Sequence, residues 1–335
     1  MERVLVAIPE GDMRETFLPE EVKKELEQHF EVVYNEGTAQ YTEEEFAELL
    51  PEFDAVMTDW YCKSLKEKAL QGTDRLKLIV HTGGTVANLL DGYAYEKGLK
   101  VLSGNIMYAE SVAEGTLAYM MMALRRLPDY LDNVKQGKWR ANSDTWEGLF
   151  DKTVGIIGLG AIGRCVVQLL QPFRVKIKIY AHYDIEKEFL EKYHCETAGL
   201  EEIFATCDIV SLHSALNDQT TGMIRKEHFA AMKDGALFVN TARGPIIEEE
   251  SMVEELRKKR IRAVLDVFVE EPLPVDHELR HMENVYVIPH MAGPTLDRRE
   301  YITKALIDAA EGFFAGETGS AFEITRETAG RMTKM

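Results

Sequence analysis

The sequence predicts an α/β protein built from two doubly wound parallel sheets. Three observations predict it: strand-helix alternation over residues 1–103, a second such alternation from Thr153 onward, and a glycine-rich turn where the second begins. At 335 residues the chain exceeds what one core ordinarily serves, so two domains are expected.

In the first alternation, 4–8 reads as a strand, 19–29 as a charged amphipathic helix and 31–34 as a second strand. Thr42 and Glu45 have capping-box spacing before a helix over 42–50, and Ser64 with Glu67 has the same spacing before the next. Strands at 53–58, 76–81 and 100–102 complete the set. Residues 110–127 form a long helix that is apolar on nearly every side, which predicts burial between domains or subunits. Met120, Met121 and Met122 on it read as packing residues. The stretch 128–150, with Trp139 and Trp146, reads as an irregular exposed arm.

The second alternation opens on TVGIIGLGAIG at 153–163. A β-branched strand runs into Gly158, Gly160 and Gly163 at G-x-G-x-x-G spacing, and an apolar helical pattern continues from Ala161 and Ile162 to Pro172. The first glycine permits the tight turn, the second lets a pyrophosphate approach the backbone, and the third lets helix and strand pack closely. The helix start then aims unpaired N–H groups and a positive dipole end at that pyrophosphate. Further strands are expected at 175–180, 208–213, 236–240, 261–266 and 285–288. Helices are expected at 186–193, 200–206, 225–232, 247–259 and 295–315. The last of these follows the final strand and is expected to cross back to the first domain. That gives a discontinuous substrate domain (1–103 and 294–335) and a dinucleotide-binding domain (104–293).

Composition narrows the function. The net charge of −18 excludes a basic stripe for nucleic-acid phosphate. No apolar run is long enough for a bilayer, and MERVLVAIPEGD does not read as a signal peptide, so no membrane role is expected. Four scattered cysteines (Cys62, Cys165, Cys195, Cys207) form no C-x-x-C pair and predict neither a disulfide framework nor a metal site. A cytoplasmic location follows as the expectation.

Ligands of open α/β sheets bind beyond the carboxyl ends of the strands. Asn240-Thr241-Ala242-Arg243-Gly244-Pro245 follows one predicted strand, Asp266 to Pro272 the next, and Pro289-His290-Met291-Ala292-Gly293 the last. A guanidinium, a carboxylate and an imidazole therefore reach one sheet edge, beside the place for a nicotinamide. An arginine can grip a carboxylate at two points and polarise the adjacent ketone. A histidine can give a proton near neutral pH as hydride arrives, and a carboxylate on its other nitrogen fixes the tautomer. The set suits reduction of a 2-keto acid. From the residues alone, Glu270 and Glu271 compete for the carboxylate role.

The chain resembles the D-isomer-specific 2-hydroxyacid dehydrogenases, the group with glycerate, phosphoglycerate, D-lactate and hydroxypyruvate enzymes. The resemblance rests on SVAEGT at 111–116, GLGAIG at 158–163, DIVSLHSALNDQTTGMI at 208–224, NTARGP at 240–245, LDVFVEEPLP at 265–274 and PHMAG at 289–293. It implies a Rossmann-type cofactor domain beside a flavodoxin-like substrate domain, with the site in the cleft between them and a homodimer overall. It implies Arg243 as substrate binder, His290 as general acid/base and Glu271, before Pro272, as its partner. It implies Asp266, the Thr241–Arg243 backbone with Ala242, and Gly293 on the nicotinamide side, with His213, Ala215 and Thr220 lining the cofactor.

Two departures stand out. Ala181 occupies the position where the family usually has a ribose-binding aspartate. Asp184, three residues on, reads either as its replacement or as a helix cap, and the absence of an arginine or lysine nearby favours NAD over NADP. HTGGTVANLLD at 81–91 replaces a G-x-G-x-D pattern. There His81, Thr82, Gly83 and Gly84 are candidate substrate contacts, with His81 as a plain strand-end residue the competing reading. Two alternatives to a keto-acid reductase remain from sequence. One is a formate-dehydrogenase-like relative, for which glutamine would be expected in place of Glu271. The other is an NAD-sensing, non-catalytic corepressor-like protein.

Overall fold

The computed structural model describes residues 1–139 and 146–333. In chain order the elements are β1 (Arg3–Val6), α1 (Asp12–Phe17), α2 (Glu20–His29), β2 (Glu31–Tyr34), α3 (Glu43–Leu49), β3 (Ala55–Thr58), α4 (Glu67–Leu70), β4 (Leu78–His81), α5 (Tyr93–Glu96), β5 (Lys100–Ser103) and α6 (Asn105–Arg125). There follow α7 (Leu127–Lys135), β6 (Thr153–Ile157), α8 (Ala161–Leu170), β7 (Lys176–Tyr180), α9 (Lys187–Tyr193), β8 (Cys195–Thr197), α10 (Leu200–Thr206), β9 (Ile209–Leu212) and α11 (Lys226–Ala231). The chain closes with β10 (Leu237–Asn240), α12 (Glu249–Arg257), β11 (Arg262–Leu265), β12 (Val285–Val287), α13 (Leu296–Phe314) and α14 (Arg326–Gly330).

Two compact units result: Met1–Tyr108 with Pro294–Met335, and Ala109–Gly293. The first holds a five-stranded sheet in the order β2-β1-β3-β4-β5 and the second a seven-stranded sheet in the order β12-β11-β10-β9-β6-β7-β8. Every pairing is parallel. Helices cover both faces, so the central strands β3, β4, β9 and β10 are buried throughout and are mostly apolar, with one polar residue each (Thr58, His81, Ser211 and Asn240). In the first unit Phe46, Val56 and Ile79 pack on one face and Leu26, Met57 and Ile302 on the other. In the second, Phe204, Phe229 and Phe238 fill one face and Met120, Val166 and Val239 the other.

Local expectations met different fates. The Thr42–Glu45 capping box is present in full. The one expected at Ser64–Glu67 is not: α4 starts after Lys66, and the Glu67 N–H donates to the Asp91 carboxylate at 2.9 Å. A partner distant in sequence thus satisfies that helix end. The irregular arm expected over 128–150 begins as a helix, α7, because Pro128 sits in its first turn, where a missing N–H is harmless. Arg126 in the left-handed conformation (φ 53°) separates α7 from α6. Residues 140–145 of that stretch lie outside the described residues, and the flanking Trp139 and Trp146 are exposed. The helix expected over 110–127 runs from Asn105 to Arg125 and is not apolar all round. Ala109, Ala113, Thr116, Met120 and Ala123 form its buried face, while Met121 is exposed.

Candidate active site

The glycine turn lies at the switch point of the second sheet, where the order reverses between β6 and β9. Gly158 has φ +95° and, with a Cβ, would meet the Ser214 amide at 2.5 Å; a Cβ on Gly163 would meet the Gly158 carbonyl oxygen at 2.3 Å. Gly160 differs, since its Cβ position faces open space. Gly160 and Ala161 are exposed at the start of α8, Ile162 is half-buried, and Arg164 N–H is the first α8 amide to bond back, onto the Gly160 carbonyl. The turn therefore offers free N–H groups and a cradle for a diphosphate. Tyr183, beyond β7, donates its hydroxyl to the Leu159 carbonyl and so ties down the same turn. Nothing in the sequence pattern had singled it out.

Arg164 pairs with Glu186, and its guanidinium lies 4.7 Å from the Phe189 ring centre. Ala181 is half-buried and Asp184 exposed. Asp184 does not cap α9, whose N-cap residue is Glu186 without a side-chain bond.

The loop after β9 is closed on itself. Thr220 Oγ1 donates to the Ala215 carbonyl at 2.6 Å and accepts the Asn217 N–H at 2.9 Å. The His213 ring is buried with Nε2 2.9 Å from Ser211 Oγ, and Nδ1 has no partner. Burial lowers its pKa to about 3, so the ring is neutral.

Strands β10, β11 and β12 are adjacent and in register, with Asn240 opposite Leu265 and Leu265 opposite Val287. Their loops bring the predicted residues together. Gly244 allows the first two loops to touch: a Cβ there would fall 2.0 Å from the Phe268 carbonyl carbon. The Ala242 N–H donates to Asn240 Oδ1 at 2.9 Å, and Arg243 Nη1 donates to the Ala242 carbonyl at 2.6 Å. Arg243 Nε is buried without a partner, and burial lowers the guanidinium pKa against the opposing pull of Glu271. An arginine nonetheless stays charged. Its bare N–H leaves a site for an acceptor.

His290 Nδ1 lies 2.7 Å from Glu271 Oε2, while Glu271 Oε1 accepts the Phe268 N–H at 2.9 Å. An ionised carboxylate only accepts, so Nδ1 carries the proton and Nε2 is left for chemistry. Geometry thereby pairs Glu271, not the exposed Glu270, with the imidazole. Asp266 is 1% exposed and accepts the Met291 and Ala292 N–H groups at 2.7 and 3.0 Å. Burial raises its pKa, and those two amides, His290 and Tyr119 oppose the rise. Thr241 is buried with Oγ1 2.9 Å from Thr116 Oγ1, and Gly293 is half-buried with open space at its Cβ position.

In the first unit His81 ends β4 and is 2% exposed. Its Nδ1 lies 2.9 Å from Thr58 Oγ1, and Nε2 would sit 2.4 Å from a Cβ on Gly83. Burial lowers its pKa to about 4. The ring is thus enclosed. Thr82 is bound by N–H and hydroxyl to the Thr58 carbonyl, at 2.9 and 3.1 Å. Ser103 Oγ holds the Gly83 and Gly84 carbonyls at 2.9 and 2.6 Å. Among the described residues, the Gly83 and Gly84 N–H groups donate to no protein acceptor.

Comparison with known proteins places this geometry. Residues 117–292, more than half the chain, match the family described as D-isomer specific 2-hydroxyacid dehydrogenase, NAD binding domain. The D-3-phosphoglycerate dehydrogenase of Methanocaldococcus jannaschii is 33% identical over 302 residues, covering 90% of this chain and 56% of that protein. The hydroxypyruvate reductase of Thermotoga maritima is 32% identical, covering 82% of this chain and 89% of that one. A phosphoglycerate oxidoreductase from Rhizobium etli shares the fold with a TM-score of 0.82 at 20% identity, over 98% of this chain and 100% of that one. The chain spans about half the length of the phosphoglycerate dehydrogenases it matches, at 48%, 56% and 52%. With an NAD-binding domain matched through its second unit and relatives above 30% identity along most of its length, the chain belongs to the D-isomer specific 2-hydroxyacid dehydrogenase family.

Proposed function

We propose that this protein reversibly reduces a small 2-keto acid to the D-2-hydroxy acid. The observation that carries the reading is the meeting of Arg243, Glu271 and His290 at three adjacent strand ends, with Glu271 2.7 Å from His290. Arg243, with its unpartnered Nε, grips the substrate carboxylate and polarises the ketone. In its doubly protonated form His290 delivers the Nε2 proton to the ketone oxygen and is left neutral with its proton on Nδ1, and Glu271 holds the ring and steadies the charge that the imidazole loses. A nicotinamide, when bound, would supply the hydride. Gly158, Gly160, Ala161, Ile162 and Gly163 would hold its diphosphate, and Asp266, Thr241, Ala242 and Gly293 would border the ring. Gly83 and Gly84, whose N–H groups donate to no protein acceptor among the described residues, are the proposed backbone contacts to substrate in the first unit, the proposed substrate domain.

NAD is the proposed cofactor in preference to NADP. Support comes from Arg164 of α8, already paired with Glu186 from beyond β7, and from exposed Asp184, which a 2′-phosphate would meet. A cytoplasmic homodimer is also proposed. The four cysteines are all free thiols, and among the described residues no helix is long and apolar enough to cross a membrane. On α7, Leu127, Leu131 and Val134 recur at helical spacing, and all three are exposed. This apolar stripe, rather than α6, is the proposed contact between copies.

NADH absorbance followed with a panel of 2-keto acids, and repeated with NADPH, tests the reading. Turnover with NADH and a D-configured product is expected. Tight NADH binding without turnover of any keto acid would favour a sensor instead.

A further inference from the structure

One face of α6 touches the loops after β10, β11 and β12. Thr116 Oγ1 donates to the Val112 carbonyl at 2.7 Å; its single proton is thereby used, and the Thr241 hydroxyl 2.9 Å away must donate to it. Gly115 lies against the third loop, where a Cβ would come within 3.1 Å of Ala292 Cα. One turn further on, the Tyr119 hydroxyl donates to Asp266 Oδ1 at 3.4 Å. Asp266 is also the anchor of the His290 turn. His290 has φ 52°, a left-handed conformation rare for a residue with a side chain, and this turns the next two N–H groups onto the two oxygens of Asp266.

We propose that Tyr119 is a positioning residue for His290: as the third donor on Asp266 it holds that carboxylate in the orientation that fixes the left-handed turn and presents the imidazole. The inference rests on the reading of His290 as proton donor. A protonated Asp266 would turn one oxygen from acceptor to donor and lose its hold on an amide. Tyr119 from α6 and His290 from beyond β12 are the titratable groups that face Asp266, and Glu271 faces His290. Burial already favours the protonated form of Asp266, so withdrawing one donor moves its protonation to higher pH.

Tyr119→Phe keeps the ring and removes only the hydroxyl. Two measurements are made on it and on the natural protein: amide hydrogen exchange, and the pH profile of kcat/KM for keto-acid reduction. The Met291 and Ala292 amides are expected to exchange about 3- to 10-fold faster in the variant, with the remainder of the second unit unchanged. The acid limb of the profile is expected to move up by roughly 0.5–1 pH unit. Unchanged exchange at both amides, or equal acceleration throughout the unit, would overturn the proposal. So would superimposable pH profiles. Selective acceleration in a protein that turns over no keto acid would sustain the Tyr119–Asp266–turn linkage and refute the reductase reading separately.

Discussion

Among the histidines at or just beyond the carboxyl ends of strands, His81, His213 and His290 differ in their surroundings. His81 in the first unit and His213 in the second are buried, with pKa values lowered by burial to about 4 and about 3. Each has one ring nitrogen beside a hydroxyl on the same sheet, Thr58 or Ser211. His290 is half-exposed, in a left-handed turn, against a carboxylate. Position at a strand end is thus shared by all three, and burial decides which can exchange a proton with a ligand. The first two rings are enclosed, each against a hydroxyl. Among the described residues, the third has no hydrogen-bond partner at Nε2.

Several experiments can break or sharpen that contrast. The largest effect short of removing His290 belongs to Arg243→Lys, which keeps the charge and loses the fork. We expect kcat/KM for keto-acid reduction to fall roughly 10- to 100-fold with NADH affinity unchanged. A loss under about 2-fold would mean that the guanidinium does not grip the substrate. Gly244→Ala should act on folding, because its Cβ would sit 2.0 Å from the Phe268 carbonyl carbon. A loss of at least about 3 kcal/mol is expected in chemical denaturation; wild-type stability would show that the two loops need not touch.

The buried rings predict an acid sensitivity of the fold. Each is neutral when folded and takes up a proton in the unfolded chain below pH ~6.5, so stability falls as pH drops from there towards about 4 for His81 and about 3 for His213. One such ring accounts for roughly 3 kcal/mol across that window. Denaturation midpoints of the natural protein and His81→Asn between pH 7 and 4 check this, the variant being expected to show the shallower loss. The smallest effect is also expected of His81→Asn: kcat/KM at neutral pH within about 3-fold of the natural protein, against orders of magnitude for His290. A far larger loss, with folding intact, would return His81 to the substrate.

Much of this architecture was legible in the residues. The β-branched run into the glycine turn, and the three loops with Arg243, Glu271 and His290, are local patterns with local causes. Less legible features depend on partners far away in sequence. Asp91 satisfies the start of α4 where Ser64 was expected to. Pro128 sits in the first turn of α7, within a stretch that read as an irregular arm. Glu270 and Glu271 are adjacent acids that the residues alone leave equivalent; the resemblance picks Glu271, and the folded loop sets it against the ring. Burial of His81 beneath the glycine turn leaves no trace in its own neighbourhood of sequence. Tyr119 left a faint one, as a polar-tipped residue a turn beyond Thr116 on an otherwise apolar helix face.

The most direct test of the account replaces His290 by asparagine and measures two quantities on one sample, the Kd for NADH and the rate of keto-acid reduction. The account predicts a Kd within about 2-fold of the natural protein and a rate lower by about 10²- to 10⁴-fold. Loss of NADH binding together with the rate, or a rate left intact, would contradict it.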